Sequence, residues 1–461
     1  MTRPALPVLL VVCVLLAGCS GLLPGDGTPT TDGTEPATES RQPTTTAPAT
    51  ATTPPTPARR TAVPTVEPLS PPEEPPEPRA VATNFSHDPA VDTVYRRVET
   101  LRGVTAREQV KVEAHAVAIV DQEGEPMEPG DPFDYPDDAK HLGELQAKVL
   151  QFYSSREVPL LGAAASGFAD ETSVGVMNEE RYEGLFSESF EALLVHEFVH
   201  TLQEQYGITE RERYRSTTDG YYARLMLTEG DATLTTYRYW RQYDLPGRNP
   251  LAARNRTEPR GYWTFGFSDK TRYYGALYLQ SVPADRRNDH VANPPDTTAE
   301  VMHPNQSWDL PGPAVTAPAP DDWSTASRNR VGELAVRYAL RTNDVPYRRA
   351  ATASTGWWND SLRTFDRPDG VAASWATRWA SEEDATEFAG TWRDMLGNLN
   401  ATERDGVLTV PGTDHRPTMH YVVVTDGRVV YVAAAETQAL AEAVAESFPV
   451  DDRRIEDDPR K

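Results

Sequence analysis

The chain is 461 residues long and carries 69 acidic against 45 basic side chains, a formal net charge of -24. So negative a chain argues against nucleic acid and anionic lipid headgroups as partners, because both would repel it. After the N-terminal segments described next, roughly 370 residues remain, enough for one large folded domain or two.

The first eighteen residues predict a signal peptide. Arg3 precedes an apolar run over residues 5–17, and residues 16–19 read Leu-Ala-Gly-Cys, which matches a lipobox. The run is too short for a membrane span. We expect Cys19 to carry a lipid that holds the protein at the extracellular face of the cell membrane, as its sole membrane contact. Cys13 leaves with the signal peptide, so no disulfide is expected.

Residues 19–83 predict a disordered stalk. They consist largely of Thr, Pro, Ala and Glu and contain few large apolar side chains. Such a segment cannot bury enough apolar surface to fold. We therefore expect it to lift the folded part of the chain away from the membrane.

Residues 84–310 carry the elements of a first folded domain. Gln109 to Val120 alternates as a strand, Asp137 to Phe152 has helical spacing, and Ser173 to Met177 is typical of a short strand. Ser187 is a candidate cap for the helix that follows, and Gly207 stands where a glycine would end it.

Inside that helix, residues 196–200 read His-Glu-Phe-Val-His, an HExxH motif. Residues four apart lie on one helix face, so His196 and His200 can bind one metal ion while Glu197 reaches a water beside it. Two imidazoles and a carboxylate favour zinc, because they leave a fourth position for water. Histidines that are hydrogen-bonded in an ordinary core are the alternative.

A second helix is predicted from about Thr217 to Tyr243. It contains Glu229 and Gly230, and a glycine within a helix suggests a close approach, here expected to be to the HExxH helix. Asp231 could orient a ligand histidine or lie at the surface.

This combination resembles the gluzincin branch of zinc metallopeptidases. The resemblance implies that His196, His200 and Glu229 hold one zinc ion per chain and that Glu197 is the general base. It also implies a zincin-like mixed sheet, in which the strand before the motif helix forms the cleft rim and pairs with extended substrate. No histidine follows the motif before His290, which excludes the metzincin pattern.

Residues 295–304 also look like a segment of gluzincin-like surface proteins. The resemblance makes His303 a candidate for steadying the oxyanion of the reaction intermediate. Tyr273 and Tyr274 are rival candidates for that role. A histidine in an ordinary capped turn is the other interpretation of His303.

A proline-rich break at residues 311–320 precedes a C-terminal subdomain over residues 321–450, and 451–461 form a charged tail. We predict a mostly helical α+β part with one β-hairpin, in which the tryptophans pack a core. The predicted helices are Val331–Arg341, Glu382–Leu399 with Ser381 as its cap, and Gln438–Phe448. The predicted hairpin joins residues 421–424 to 429–432 across a Thr-Asp-Gly-Arg turn.

The composition resembles that of proteins from extreme halophiles. Five of the 45 basic residues are lysine, namely Lys111, Lys140, Lys148, Lys270 and Lys461. High salt screens the repulsion within so acidic a chain, so we expect the fold to weaken in low salt.

Together these observations predict an α+β protein that is a lipid-anchored zinc metallopeptidase of the cell surface. We expect it to act on peptides or proteins as a monomer. Two other classes remain open. One is a zincin-like surface lipoprotein that binds metal or a partner without cleaving it. The other is a solute-binding lipoprotein, which would have two lobes and no tightly bound zinc.

Overall fold

The computed structural model describes residues 71–115, 148–151, 166–208, 217–255, 263–306, 314–413 and 416–449. Within them the fold is α+β, as predicted, and it contains two sheets. The signal peptide with Cys19, residues 19–70 of the predicted stalk and the charged tail lie outside the described residues. The predicted end of the disordered stalk at residue 83 is wrong, because Ala80–Ala82 form a strand that pairs with Val110–Val112. None of the helices within the described ranges combines the length and the hydropathy that crossing a bilayer requires.

The first sheet has the strand order β1-β2-β4-β3, with β3 antiparallel to β4 and the other pairs parallel. Its strands are β1 (Ala80–Ala82), β2 (Val110–His115), β3 (Gly167–Ala169) and β4 (Ser173–Met177), and helix α1 (Val91–Arg102) follows β1. Strand β4 is confirmed, and β2 confirms the start of the strand predicted from Gln109. Residues 116–120 and most of the helix predicted from Asp137 lie outside the described residues.

The rim strand was expected to be β4, and this is wrong. Strand β4 lies inside the sheet, hydrogen-bonded to β2 on one side and to β3 on the other. Among the described strands, β3 is the edge beside the HExxH helix. The alternating pattern shows that a segment is a strand but does not show its place in the sheet.

Helices make up the rest of this region. They are α2 (Glu179–Leu185), α3 (Phe190–Gln205), α4 (Thr218–Gln242), α5 (Pro250–Ala253), α6 (Trp263–Ser281), a short 3-10 turn (Ala284–Arg286), α7 (Arg287–Ala292) and α8 (Thr298–Met302). Helix α3 carries the HExxH motif and α4 is the predicted second helix.

The ends of α3 are set by local chemistry. The Oγ of Ser189 accepts the Ala192 N–H at 3.3 Å, so Ser189 and not Ser187 is the cap. The Ser187 prediction is wrong because Ser187 lies two residues before the observed cap, where its carbonyl accepts the Arg248 N–H. Gly207 has φ +60° just past the end of the helix, as predicted.

Helices α4 and α6 cross at two glycines. A Cβ built on Gly230 would lie 2.3 Å from the Gly275 carbonyl carbon, and one on Gly275 would lie 1.6 Å from the Met226 oxygen. The close approach predicted at Gly230 is therefore real, but its partner is α6 and not the HExxH helix. The sequence pattern shows the small residue, and only the fold shows what it faces.

The C-terminal part is built on a seven-stranded antiparallel sheet of order β5-β6-β7-β11-β10-β9-β8. The strands are β5 (Ser327–Asn329), β6 (Trp357–Arg367), β7 (Gly370–Trp379), β8 (Thr402–Arg404), β9 (Val407–Val410), β10 (Met419–Asp426) and β11 (Val429–Ala435). The helices are α9 (Glu333–Thr342), α10 (Tyr347–Ser354), α11 (Glu382–Asn398) and α12 (Gln438–Glu446). The β10–β11 hairpin is confirmed, and the mostly helical description of this part is wrong.

Tryptophans fill the space between this sheet and α11. Trp375 packs edge-on against Phe388 and Trp392, with ring centroids 5.8 and 5.2 Å away. Trp357, Trp375 and Trp379 are fully buried, which confirms the packing role predicted for them. Ser381 caps α11 as predicted, because its Oγ accepts the Asp384 N–H at 3.0 Å.

One hydrophobic core runs through both parts of the molecule. A polar contact also joins them at the start of α4. Asp219 accepts hydrogen bonds from the Thr298 N–H and hydroxyl at 2.8 and 2.7 Å, and Arg330 from the C-terminal part lies 2.9 Å away. The two parts therefore form a continuous unit around α4.

Candidate metal centre

Helices α3 and α4 bring the three predicted ligands together. The Nε2 atoms of His196 and His200 lie 3.2 Å apart. Glu229 places Oε2 3.2 Å from His196 Nε2 and Oε1 3.5 Å from His200 Nε2. All three side chains thus point at a single space between the two helices.

The spacing of these atoms fits a zinc ion. A tetrahedral zinc site with bonds of about 2.0–2.1 Å separates its ligand atoms by about 3.3–3.4 Å. The separations of 3.2, 3.2 and 3.5 Å agree with that geometry. Three protein ligands also leave one tetrahedral position for water or substrate.

Gln203 fixes the orientation of His200. Its Oε1 lies 2.9 Å from His200 Nδ1, while its Nε2 donates to the Thr228 carbonyl and to Asp231 Oδ2 at 3.1 and 2.9 Å. An amide oxygen accepts only, so His200 Nδ1 carries the hydrogen and Nε2 presents its lone pair to a metal. Gln203 is one turn after His200, and that spacing is the sequence signal that could have identified it.

Asp231 supports the site from behind and is fully buried, so its interpretation as a surface acid is wrong. Its Oδ2 lies 2.9 Å from Arg102 Nη2. The Asp231 carboxylate contacts Gln203 and orients His200 through it, one step further from the metal position than predicted.

Arg272 on α6 contacts the third ligand, and sequence reasoning missed it. Its Nε donates to Glu229 Oε2 at 2.9 Å, and the side chain is 3% exposed. Burial opposes ionisation of Glu229, but Arg272 and His200 together hold its pKa well below the usual range. Arg272 lies three residues before Gly275, so the helix crossing places it against Glu229.

The other two motif residues have shifted pKa values. Burial lowers the pKa of His196 to about 3, which keeps its imidazole neutral, the form that binds metals. Burial raises the pKa of Glu197 to about 7, close to the pH at which a general base works best. A Cβ on Gly167 would lie 2.7 Å from Glu197 Oε1, so Glu197 faces the edge strand β3.

A cleft reaches this centre. Its walls include His196, Glu197 and Arg272. It extends from there toward Glu188 and Arg254, at the N-terminal end of α3. The predicted base Glu197 therefore lines a partly open cleft beside the metal position.

The oxyanion candidates have partners elsewhere. Both carboxylate oxygens of Glu333 in α9 lie 2.8–2.9 Å from His303 Nε2, and Arg337 donates to the Tyr274 hydroxyl at 2.8 Å. The Tyr273 ring lies 5.0 Å from Lys270 Nζ. His303, Tyr273 and Tyr274 are not among the described residues that line the cleft. Their role in the reaction stays a prediction that these contacts do not support.

Comparison with known proteins identifies one part of the chain. Residues 322–445 match a family described as a domain of unknown function, DUF8575. This match covers the seven-stranded sheet and its flanking helices. It begins well after the HExxH region in the chain and does not include it. No curated protein and no solved structure matches the chain.

Proposed function

We propose that the protein is a zinc-dependent peptidase held at the outer face of the cell membrane through lipid on Cys19. The observation that carries the proposal is the convergence of His196, His200 and Glu229 at tetrahedral spacing. Glu197 stands beside them at a cleft. The lipobox and the stalk support the location.

The chain's own residues account for the proton transfers of peptide hydrolysis. A bound zinc ion supplies a Lewis acid that acidifies water and polarises the scissile carbonyl. Glu197 accepts the water proton as the water oxygen bonds to the carbonyl carbon and the carbonyl π electrons move to oxygen. Glu197 then gives that proton to the amide nitrogen as the C–N bond breaks and the C=O bond re-forms, leaving a carboxylic acid and an amine. Transfer of the acid proton to the amine gives the carboxylate and the ammonium group of the two product peptides.

Arg272 favours a second candidate, a surface protein that no longer cleaves peptides. A guanidinium 2.9 Å from Glu229 balances that buried carboxylate without a metal. The HExxH region could then be a buried ion-pair network that serves the fold. Metal content and hydrolysis separate this candidate from the peptidase.

The test uses the full chain purified in detergent at molar salt. We expect about one zinc per chain, and we expect His200→Ala to lose it. Glu197→Gln should keep the zinc and lower hydrolysis of an unfolded protein by at least about 100-fold, because it removes only the base. Glu180→Gln, at an exposed position of α2, is the matched control and should change neither.

Two results would contradict the proposal. Full zinc occupancy in His200→Ala would show that the metal binds elsewhere. If the zinc-loaded wild-type chain cleaves no unfolded protein, the peptidase proposal is wrong and the non-catalytic surface protein is the remaining candidate.

A further inference from the structure

The cleft continues from the metal centre as a groove between α3 and α4. On the α3 side, Glu188, Ala192 and His196 line it at intervals of four residues. On the α4 side, Thr233 and Thr236 line it. Glu188 lies two residues before α3 begins, and the six helical steps from Phe190 to His196 correspond to about 9 Å. Glu188 therefore lies at the far end of a corridor that starts at His196.

Glu188 has unused capacity to accept hydrogen bonds. Its side chain is 9% exposed, and Ser187 Oγ lies 3.3 Å from its Oε2. Its Oε1 is buried and accepts no hydrogen bond from any described residue; the nearest cation, Arg254 Nη2, is 3.5 Å away. A buried carboxylate oxygen without a donor is costly, so an arriving N–H donor would be favoured there.

The charges around Glu188 favour a cation over an anion. Arg254 donates to Asp269 Oδ1 at 2.9 Å, which is a closer contact than its 3.5 Å approach to Glu188. Among the described residues around Arg254, one guanidinium thus faces two carboxylates, an excess of about one negative charge. Arg272 is paired with Glu229, so it does not offset that excess.

We propose that this groove selects peptides with a lysine or arginine side chain next to the scissile bond, whose cationic group donates to Glu188 Oε1. This inference rests on the proposed peptidase function and adds substrate selectivity to it. The long flexible stem of lysine or arginine suits a corridor whose walls include Ala192 and two threonines. A free peptide amino group is the other source of the same cationic chemistry.

The experiment compares peptides that differ at one position. Each peptide is acetylated at its N-terminus and has lysine, arginine, norleucine or glutamate on either side of the scissile bond. For the zinc-loaded full chain, we expect kcat/KM to be about 10- to 100-fold higher for lysine or arginine than for norleucine, the range for hydrogen bonds to charged groups. A matched norleucine peptide with a free N-terminus tests the amino-group source.

Glu188→Gln should remove the preference, so that in this variant lysine and arginine peptides are cleaved with about the same kcat/KM as norleucine peptides. Asp269→Asn, which changes the other partner of Arg254, is the matched control and should keep the preference for a cation. If Glu188→Gln cleaves norleucine peptides poorly, the inference is decided by the wild-type chain alone, from its ratio of kcat/KM for lysine or arginine peptides to kcat/KM for norleucine peptides.

The outcomes are distinct. If the wild-type chain cleaves lysine and norleucine peptides with nearly equal kcat/KM, the inference is overturned and the peptidase function stays intact. A preference that follows the free N-terminus overturns the assignment to a side chain. A wild-type chain that cleaves none of the peptides overturns the peptidase function, and the selectivity with it.

Discussion

The two parts of the molecule bury different kinds of side chain. Between α3, α4 and α6 the interior holds paired charges, while the space between the C-terminal sheet and α11 holds closely packed aromatic rings. Aromatic burial stabilises a fold directly, whereas buried charges stabilise little unless each has a partner. The charged interior is therefore the costlier one, and its cost is typical of a functional site.

Removing a ring from the aromatic interior should have the largest effect on stability. We expect Trp375→Ala to lower the free energy of unfolding by about 3–5 kcal/mol, because the cavity forms where Phe388 and Trp392 pack. Zinc content of the folded chain should stay at one per chain. Denaturant unfolding measures the loss, with Trp375→Phe as a milder control. A loss below about 1 kcal/mol would show that the sheet does not depend on this ring.

The helix crossing links stability to the metal centre. Gly275→Ala would place a methyl group 1.6 Å from the Met226 oxygen and push α6 away from α4. We expect a loss of about 1–3 kcal/mol and weaker zinc binding, because Arg272 would move from Glu229. Gly390→Ala in α11, where a Cβ meets nothing within 4 Å, is the control and should gain about 0.5–1 kcal/mol. Unchanged stability in Gly275→Ala would mean that α6 can move away from α4 at little cost in free energy.

The smallest expected effect concerns the support of His200. Gln203→Met keeps the side chain's length but removes the acceptor for His200 Nδ1, so zinc affinity should fall about 10- to 100-fold. Competition with a chelator measures it. Gln205→Met on the same helix is the control, since Gln205 contacts the Glu108 and Glu171 carbonyls and not the metal centre. Equal affinity in both variants would show that Gln203 does not orient the ligand.

Local signals predicted the helices that hold the site. The second helix, expected from Thr217 to Tyr243, is observed as Thr218–Gln242 with Thr217 as its cap. Capping and periodicity depend on residues a few positions apart, so sequence patterns report them well. The same holds for the β10–β11 hairpin.

Contacts between distant segments could not be predicted in this way. Arg272 meets Glu229 across 43 positions of the chain. An arginine in a helix is usually a surface residue, and the residues next to Arg272 in the sequence do not indicate that it contacts Glu229. Periodicity likewise could not tell that β4 lies inside its sheet.

One missed feature did have a local signal. Strands β6 and β7 pair directly from Arg367 and Gly370, so Pro368 and Asp369 form the turn between them. Pro-Asp-Gly is a strong turn sequence, and it separates two segments rich in aromatic and β-branched residues. This turn signal predicts a β-hairpin at residues 357–379 and therefore a sheet in the C-terminal part, in place of the mostly helical prediction.

The C-terminal sheet ends on both sides in a strand of three residues, β5 and β8. Strand β8 is fully exposed and carries Glu403 and Arg404. Short, charged edges offer neighbouring molecules little backbone to pair with. Copies crowded side by side at high concentration would therefore stay separate proteins and not stack into fibres.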